Sequence, residues 1–160
     1  MANFYTETEG KCWQWIECMN GQIPDYAVIG GEDINGEPIF VGRVIHKGET
    51  IPGKVVPSHK VCYIASNNKE ISFNKYQVLS SRADLKWSAP KAGRLIERAI
   101  LAGRTKNGNS LFVGRKWHDS RSLVVGYVSP SQKELNYPFD CRSWKCADFE
   151  ILRYRKSDIL

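Results

Sequence analysis

Tyr26-Ala-Val-Ile-Gly-Gly-Glu-Asp-Ile-Asn-Gly-Glu-Pro-Ile-Phe-Val-Gly-Arg-Val-Ile-His46 and Arg98-Ala-Ile-Leu-Ala-Gly-Arg-Thr-Lys-Asn-Gly-Asn-Ser-Leu-Phe-Val-Gly-Arg-Lys-Trp-His118 are one segment written twice, 72 residues apart. Ala27 falls on Ala99, Gly31 on Gly103, Asn35-Gly36 on Asn107-Gly108, and Phe40-Val-Gly-Arg43 on Phe112-Val-Gly-Arg115. The register reaches back to Trp15 on Trp87 and Gly21 on Gly93, and forward to His46 on His118. Glycines, aromatics and an arginine each answer a different packing or backbone demand, so a gapless register through all of them marks one structural unit used twice.

The repeated segment is a hairpin by composition. Its apolar runs are short, rich in Val, Ile and Phe, and separated by Asn-Gly, the favoured pair for a two-residue type I′ turn. A second hairpin is expected from Val61–Ala65 and Glu70–Phe73 around Asn67-Asn68-Lys69, followed by a closing strand Tyr76–Leu79. That strand has a counterpart in Phe149–Leu152 at an offset of 73, which places one extra residue in the second half, after position 126. Only Lys91 to Leu101 is allowed a turn of helix. The expected fold is all-β, with two similar antiparallel modules related by a pseudo-twofold axis, prism-like or sandwich-like. The first repeat spans residues 13–80 and the second 85–154, together one compact body linked by Ser80 to Leu85.

Size and composition agree. A chain of 160 residues buries about two thirds of its unfolded surface in one core and needs neither disulfide nor structural metal. Hydrophobic content of 42% and charged content of 25% are those of a globular protein, and no apolar run approaches a membrane span. The sequence as given starts without a basic or apolar leader, which leads to a cytoplasmic expectation, with release by an unconventional route as the way to outside glycans. Five cysteines, unpaired in number and lacking C-x-x-C spacing, are expected to be mostly buried thiols, with a single disulfide as the alternative. A net charge of +6 favours acidic partners, including an anionic membrane surface. The basic residues are scattered, however, and nucleic acid is not expected as a partner.

Chemistry-bearing motifs are few. There is no G-x-S-x-G, no H-E-x-x-H and no cysteine with an evident histidine partner, so an enzyme is not expected. Gly103 to Gly108 lacks the ending of a phosphate loop. The Asp33-Ile-Asn35-Gly36 run has Val44 where a calcium loop needs its bidentate glutamate, and no metal or cofactor is expected. Trp13, Trp15 and Trp87 read as core anchors. Arg43 with Arg115, and His46 with His118, occupy matching positions and suggest a structural task shared by the halves. His59 reads as isolated and exposed. By residue type alone, Asp33 and Lys54 read as solvated charges or a weak surface ion pair.

The ordered set Trp15, Gly21-Gln-Ile-Pro24, Ala27-Val28, Gly30-Gly31, Asn35-Gly36, Phe40-Val-Gly-Arg43, Pro52-Gly-Lys54, Cys62-Tyr63, Lys69-Glu70 and Tyr76-Gln-Val-Leu79 resembles the DM-nine repeat family. The resemblance covers nearly everything from Trp13 to Tyr154, closely in the first repeat and loosely in the second. It implies a pseudo-symmetric all-β body that forms a homodimer. It also implies lectin activity of the kind known in molluscan members, which bind mannose and high-mannose glycans without calcium in innate recognition. In those members an aspartate at the end of the first hairpin strand and a lysine after Pro-Gly hold the sugar, and these match Asp33 and Lys54. An acid in the loop before Pro-Gly matches Glu49. A plain shift of 72 sets Thr105, Arg121 and Gly126 opposite Asp33, Glu49 and Lys54, so one competent site per chain is expected. A carboxylate accepting from vicinal hydroxyls and an ammonium donating to their oxygens would suit a hexose, and Tyr63 or Trp117 is available to stack on its ring.

Overall fold

A computed structural model describes residues 12–158 of the chain. The first half contributes β1 (Trp13–Met19), β2 (Ile29–Glu32), β3 (Pro38–His46), β4 (Glu49–Val56), β5 (Val61–Ser66), β6 (Lys69–Phe73) and β7 (Lys75–Ser81). The second contributes β8 (Lys86–Ser88), β9 (Leu101–Arg104), β10 (Ser110–His118), β11 (Ser122–Ser129), β12 (Glu134–Phe139), β13 (Arg142–Cys146) and β14 (Glu150–Arg153). Short 3₁₀ turns lie at Pro57–His59 and Lys156–Asp158. Lys91 to Leu101 holds successive three-residue-spaced turns, Arg94 N–H to Lys91 and Ala99 N–H to Ile96, rather than helix.

The hydrogen-bonded order is β1-β7-β3-β2-β11-β12-β13-β6-β5-β4-β9-β10-β14-β8, with further pairings β3–β4 and β10–β11. Exchanging each strand with its mate in the other half and reading backwards returns the same order, so the pseudo-twofold axis is built into the pairing. The chain is all-β, as expected. The halves are not separable modules, however: β2, β3, β4, β9, β10 and β11 close a ring in which β2 bonds β11 and β4 bonds β9.

The turns correct two expectations. At Asp33–Gly36 only Gly36 has positive φ, at 84°; Gly36 N–H donates to Asp33 and Asp33 N–H to Glu37. This is a type I turn closed by a glycine bulge, and Thr105–Gly108 repeats it. Turns with two successive left-handed residues fall elsewhere, at Asn67-Asn68 with φ 51° and 64°, and also at Lys47-Gly48, Asp119-Ser120 and Asp140-Cys141. The extra residue of the second half lies before position 126: Lys47-Gly48 joins β3 to β4, whereas Asp119, Ser120 and Arg121 join β10 to β11. Beyond that turn the true offset is 73.

Three cores follow from this arrangement. Trp13, Trp15, Val41, Leu79, Ile100, Val113 and Leu152 pack between the halves, while Val55, Cys62, Ile64 and Val78 fill the first half and Val128, Leu135, Tyr137 and Ile151 fill the second at equivalent positions. Two arginines fasten the halves. Arg43 lies 4.4 Å over Trp15, donates to Gln77 Oε1 at 2.7 Å, and crosses to Ala102 O at 3.3 Å. Arg115 lies 4.3 Å over Trp87, donates to Glu150 Oε1 at 2.9 Å, and crosses to Gly30 O at 3.1 Å. The repeated Phe-Val-Gly-Arg is thus a reciprocal clamp.

The cysteines depart from expectation in burial. Only Cys62 is buried; Cys12, Cys18 and Cys146 are partly covered, Cys141 is exposed, and none is bonded to another. Desolvation pushes the Cys62 thiol far up, with Lys54 a smaller opposing influence. A thiol reagent under native conditions is expected to modify Cys141 first and Cys62 only after unfolding. Mass spectrometry of timed samples checks that order.

Candidate functional site

Lys54 stands on β4 directly opposite Tyr63 of β5, so both side chains rise from one face of the sheet. It is not a solvated charge, since only 5% of the residue is exposed. Its Nζ lies 3.2 Å from Glu70 Oε2 on β6, and the other Glu70 oxygen accepts from the Cys141 N–H at 3.1 Å. Aromatic faces wall the ammonium, Tyr63 from its own half and Phe139 from the other, each centred 5.3 Å from Nζ. Arg121, also from the second half, lies 5.6 Å over the Phe139 ring.

Asp33 reaches the same cluster from the β2–β3 turn. His59 links it there: His59 Nε2 is 3.9 Å from Asp33 Oδ2, and His59 Nδ1 is 2.8 Å from the Tyr63 hydroxyl. His59 is therefore half-exposed but not isolated. Burial raises the pKa of Tyr63, and the charges of Glu70 and Asp33 raise it further, which keeps the phenol protonated as a donor. The Pro57–His59 turn that presents His59 is fastened to the Asp33 hairpin by Glu37, whose carboxylate accepts from the Ser58 N–H at 2.8 Å and from the Ser58 hydroxyl.

The Ser58 hydroxyl bond, ahead of the other influences, holds the Glu37 carboxyl below its usual range. A depressed folded pKa contributes stability above the unfolded value and loses it as pH falls through the folded one. Acidification is therefore expected to release the Pro57–His59 turn as Glu37 protonates, with Glu37→Gln showing the released state at neutral pH. Carbon-detected NMR titration of the Glu37 carboxyl, read beside the Ser58 amide, checks both.

Glu49 is not part of this cluster. The Asp33 turn and the Glu49 turn cap opposite ends of β3, nine residues and about 30 Å long. Glu49 Oε2 instead accepts from the Lys106 N–H at 3.0 Å, on the β9–β10 turn of the other half. Trp117 is 46% exposed and forms no part of the cluster's walls. With the offset of 73, the second-half mates of Glu49, Lys54, Tyr63 and Glu70 are Ser122, Tyr127, Asn136 and Ser143, not Arg121 and Gly126 for the first two; Thr105 remains the mate of Asp33. Among the described residues the acid, amine, acid set occurs once.

The cluster thus sets acceptors Asp33 and Glu70, donors Lys54 and Tyr63, and two apolar faces around one place where the halves meet. Such a set suits a small polyhydroxylated guest: hydroxyls need donors and acceptors together, and a sugar ring's C–H face needs an aromatic wall. Glu70, His59 and Phe139 were not legible as partners, because Glu70 comes in through β5–β6 pairing, His59 through the turn between β4 and β5, and Phe139 from the other half.

The DM9 repeat profile matches residues 4–73 and again residues 33–146. None of the curated protein sequences matches the chain. Among solved structures, the nematode sperm cell motility protein MFP2B is similar, at a TM-score of 0.62 and 15% identity over 89% of this chain and 44% of that one. The chain spans less than half of that protein's length, and at this identity the likeness is one of fold. With two overlapping profile matches that take in most of its length, and a fold whose pairing order repeats on itself, the chain belongs to the DM9 repeat family.

Proposed function

We propose that this protein is a calcium-independent lectin for mannose and high-mannose glycans, acting in innate recognition. Asp33 and Lys54 are its principal ligand-holding residues, assisted by Tyr63 and Glu70. The single observation that carries the reading is the half-buried cluster in which Lys54, paired with Glu70 between Tyr63 and Phe139, is joined to Asp33 by way of Tyr63 and His59. A hexose hydroxyl pair bridges carboxylate and ammonium there, and an inverted hydroxyl leaves one charged group unpaired, at about 1–3 kcal/mol. That difference selects mannose over galactose. One small site binds a monosaccharide at about millimolar Kd, so useful affinity comes from a homodimer that engages several glycan branches. The proposed place of action is the cytoplasm, or outside the cell after unconventional release.

Glycan-array binding in excess chelator is the test. The wild-type protein is expected to bind high-mannose structures, and Asp33→Asn, which leaves the turn's backbone bonds in place, to lose at least tenfold in affinity, about 1.4 kcal/mol. Unchanged binding by a folded Asp33→Asn variant would remove the site assignment. The second reading, a protein- or membrane-interaction module, draws on Ile45 and Trp117, mates across the pseudo-axis that are 73% and 46% exposed. It predicts no glycan bound and salt-sensitive binding to acidic vesicles.

A further inference from the structure

We infer that the pseudo-twofold mate of the Asp33–Lys54 cluster is a second ligand site, one that takes a neutral saccharide through Asn136, Tyr127 and Glu49. It extends the lectin reading to a place the first site's residues do not reach.

Tyr127 and Asn136 are directly opposed on β11 and β12, as Lys54 and Tyr63 are on β4 and β5, so their side chains share a face. Asn136 is 4% exposed, yet its Nδ2 has no hydrogen-bond partner. A buried amide donor left unpaired is costly, and no protein group in the surroundings offsets it. The donor is built but unused. Glu49 enters from the first half, its Oε2 held by the Lys106 N–H at 3.0 Å. Burial, and after it the charge of Glu49, raises the Tyr127 phenol's pKa, which keeps that hydroxyl a donor.

The substitutions at this mate define the ligand. A phenol stands for the ammonium, an amide for the phenol, and Ser143 and Thr105 for the two carboxylates. The Thr105 hydroxyl is occupied by the Asn109 N–H at 3.1 Å. What remains is an amide donor, a phenol that donates or accepts, and a carboxylate acceptor, a set that matches adjacent hydroxyls. With the lysine replaced, an anionic ligand would set its charge against Glu49 with no central cation to receive it. A neutral sugar carries no such conflict.

The test is a proton–nitrogen NMR titration of the labelled full chain with D-mannose, D-glucose, D-galactose and N-acetyl-D-glucosamine in turn. At least one sugar is expected to shift the Asn136 side-chain amide and the Tyr127 backbone amide saturably. That shift should persist in Asp33→Asn and weaken about tenfold in Asn136→Leu and in Glu49→Gln. If Asn136→Leu does not fold, Glu49→Gln gives the same reading on the other side of the ligand. No saturable shift at either position with any of the four sugars overturns the inference. So do shifts that vanish in Asp33→Asn, which would make them echoes of the first site, and so does wild-type affinity in a folded Asn136→Leu or Glu49→Gln. Loss of sugar signals around Asp33 with retention here would instead count against the first site alone.

Discussion

Gly53→Ala is expected to cost about 3 kcal/mol, at the upper end for overpacking a buried position, and to abolish ligand binding with it. A Cβ on Gly53 would lie inside the envelope of the Tyr63 carbonyl oxygen and within 2.9 Å of Ile64 Cγ2, with backbone and a buried side chain as the obstacles. Neither can swing away. The strands must separate, and the separation falls between Lys54 and Tyr63, the pair at the centre of the proposed site. Gly126→Ala should cost a similar amount, because its Cβ meets the Asn136 carbonyl oxygen in the same way. Gly36→Ala is the contrast: its surroundings are open and only its φ of 84° resists, so about 1–2 kcal/mol is expected. Urea unfolding of the three variants, with the slope held constant, checks the ranking.

The second large effect belongs to Lys54. Lys54→Met preserves the stem's packing but leaves the Glu70 carboxylate, its side chain only 11% exposed, without its cation. Breaking a buried ion pair from one side costs about 3–5 kcal/mol, chiefly from the charge left behind. Removing that charge as well should recover most of the loss, so Lys54→Met with Glu70→Leu is expected to lie closer to wild type than Lys54→Met alone. Mannose binding should be absent from both. A double-mutant cycle read by unfolding, together with titration of each folded variant, separates the stability role of the pair from its ligand role. Equal stability of Lys54→Met and wild type would mean that the pair is solvated, contrary to its burial.

These two effects also show what could be read from the amino-acid order. The offset of 72 and the hairpin punctuation specify the strands and the twofold relation, because strand periodicity and turn residues act locally. The matching arginines announced a shared structural task, and each proves to clamp its own half to the other. The site was half legible. Asp33 and Lys54 lie far apart in order yet reach one cluster, joined through His59 and Tyr63, whereas Glu49, closer to Lys54 in sequence, is carried to the far end of β3 by simple strand geometry. A fixed shift also misplaced the second-half mates, since a three-residue turn at Asp119–Arg121 replaces the two-residue turn at Lys47-Gly48 and advances everything after it by one. In a strand a one-residue error exchanges faces, so a plain shift of 72 sets Gly126 where Tyr127 is the mate of Lys54. Phe139 could not be foreseen beside Lys54, because that contact depends on how the two halves interlock rather than on either half's own pattern.

The central claim is that the place where the halves meet around Asp33, Lys54, Tyr63 and Phe139 grips a hexose. Crystals of the full chain soaked with methyl α-mannoside measure it most directly. The expected result is density for one sugar with hydroxyls on the Asp33 carboxylate and the Lys54 ammonium and a ring face on Tyr63 or Phe139. A sugar bound elsewhere while that cluster holds only water would contradict it.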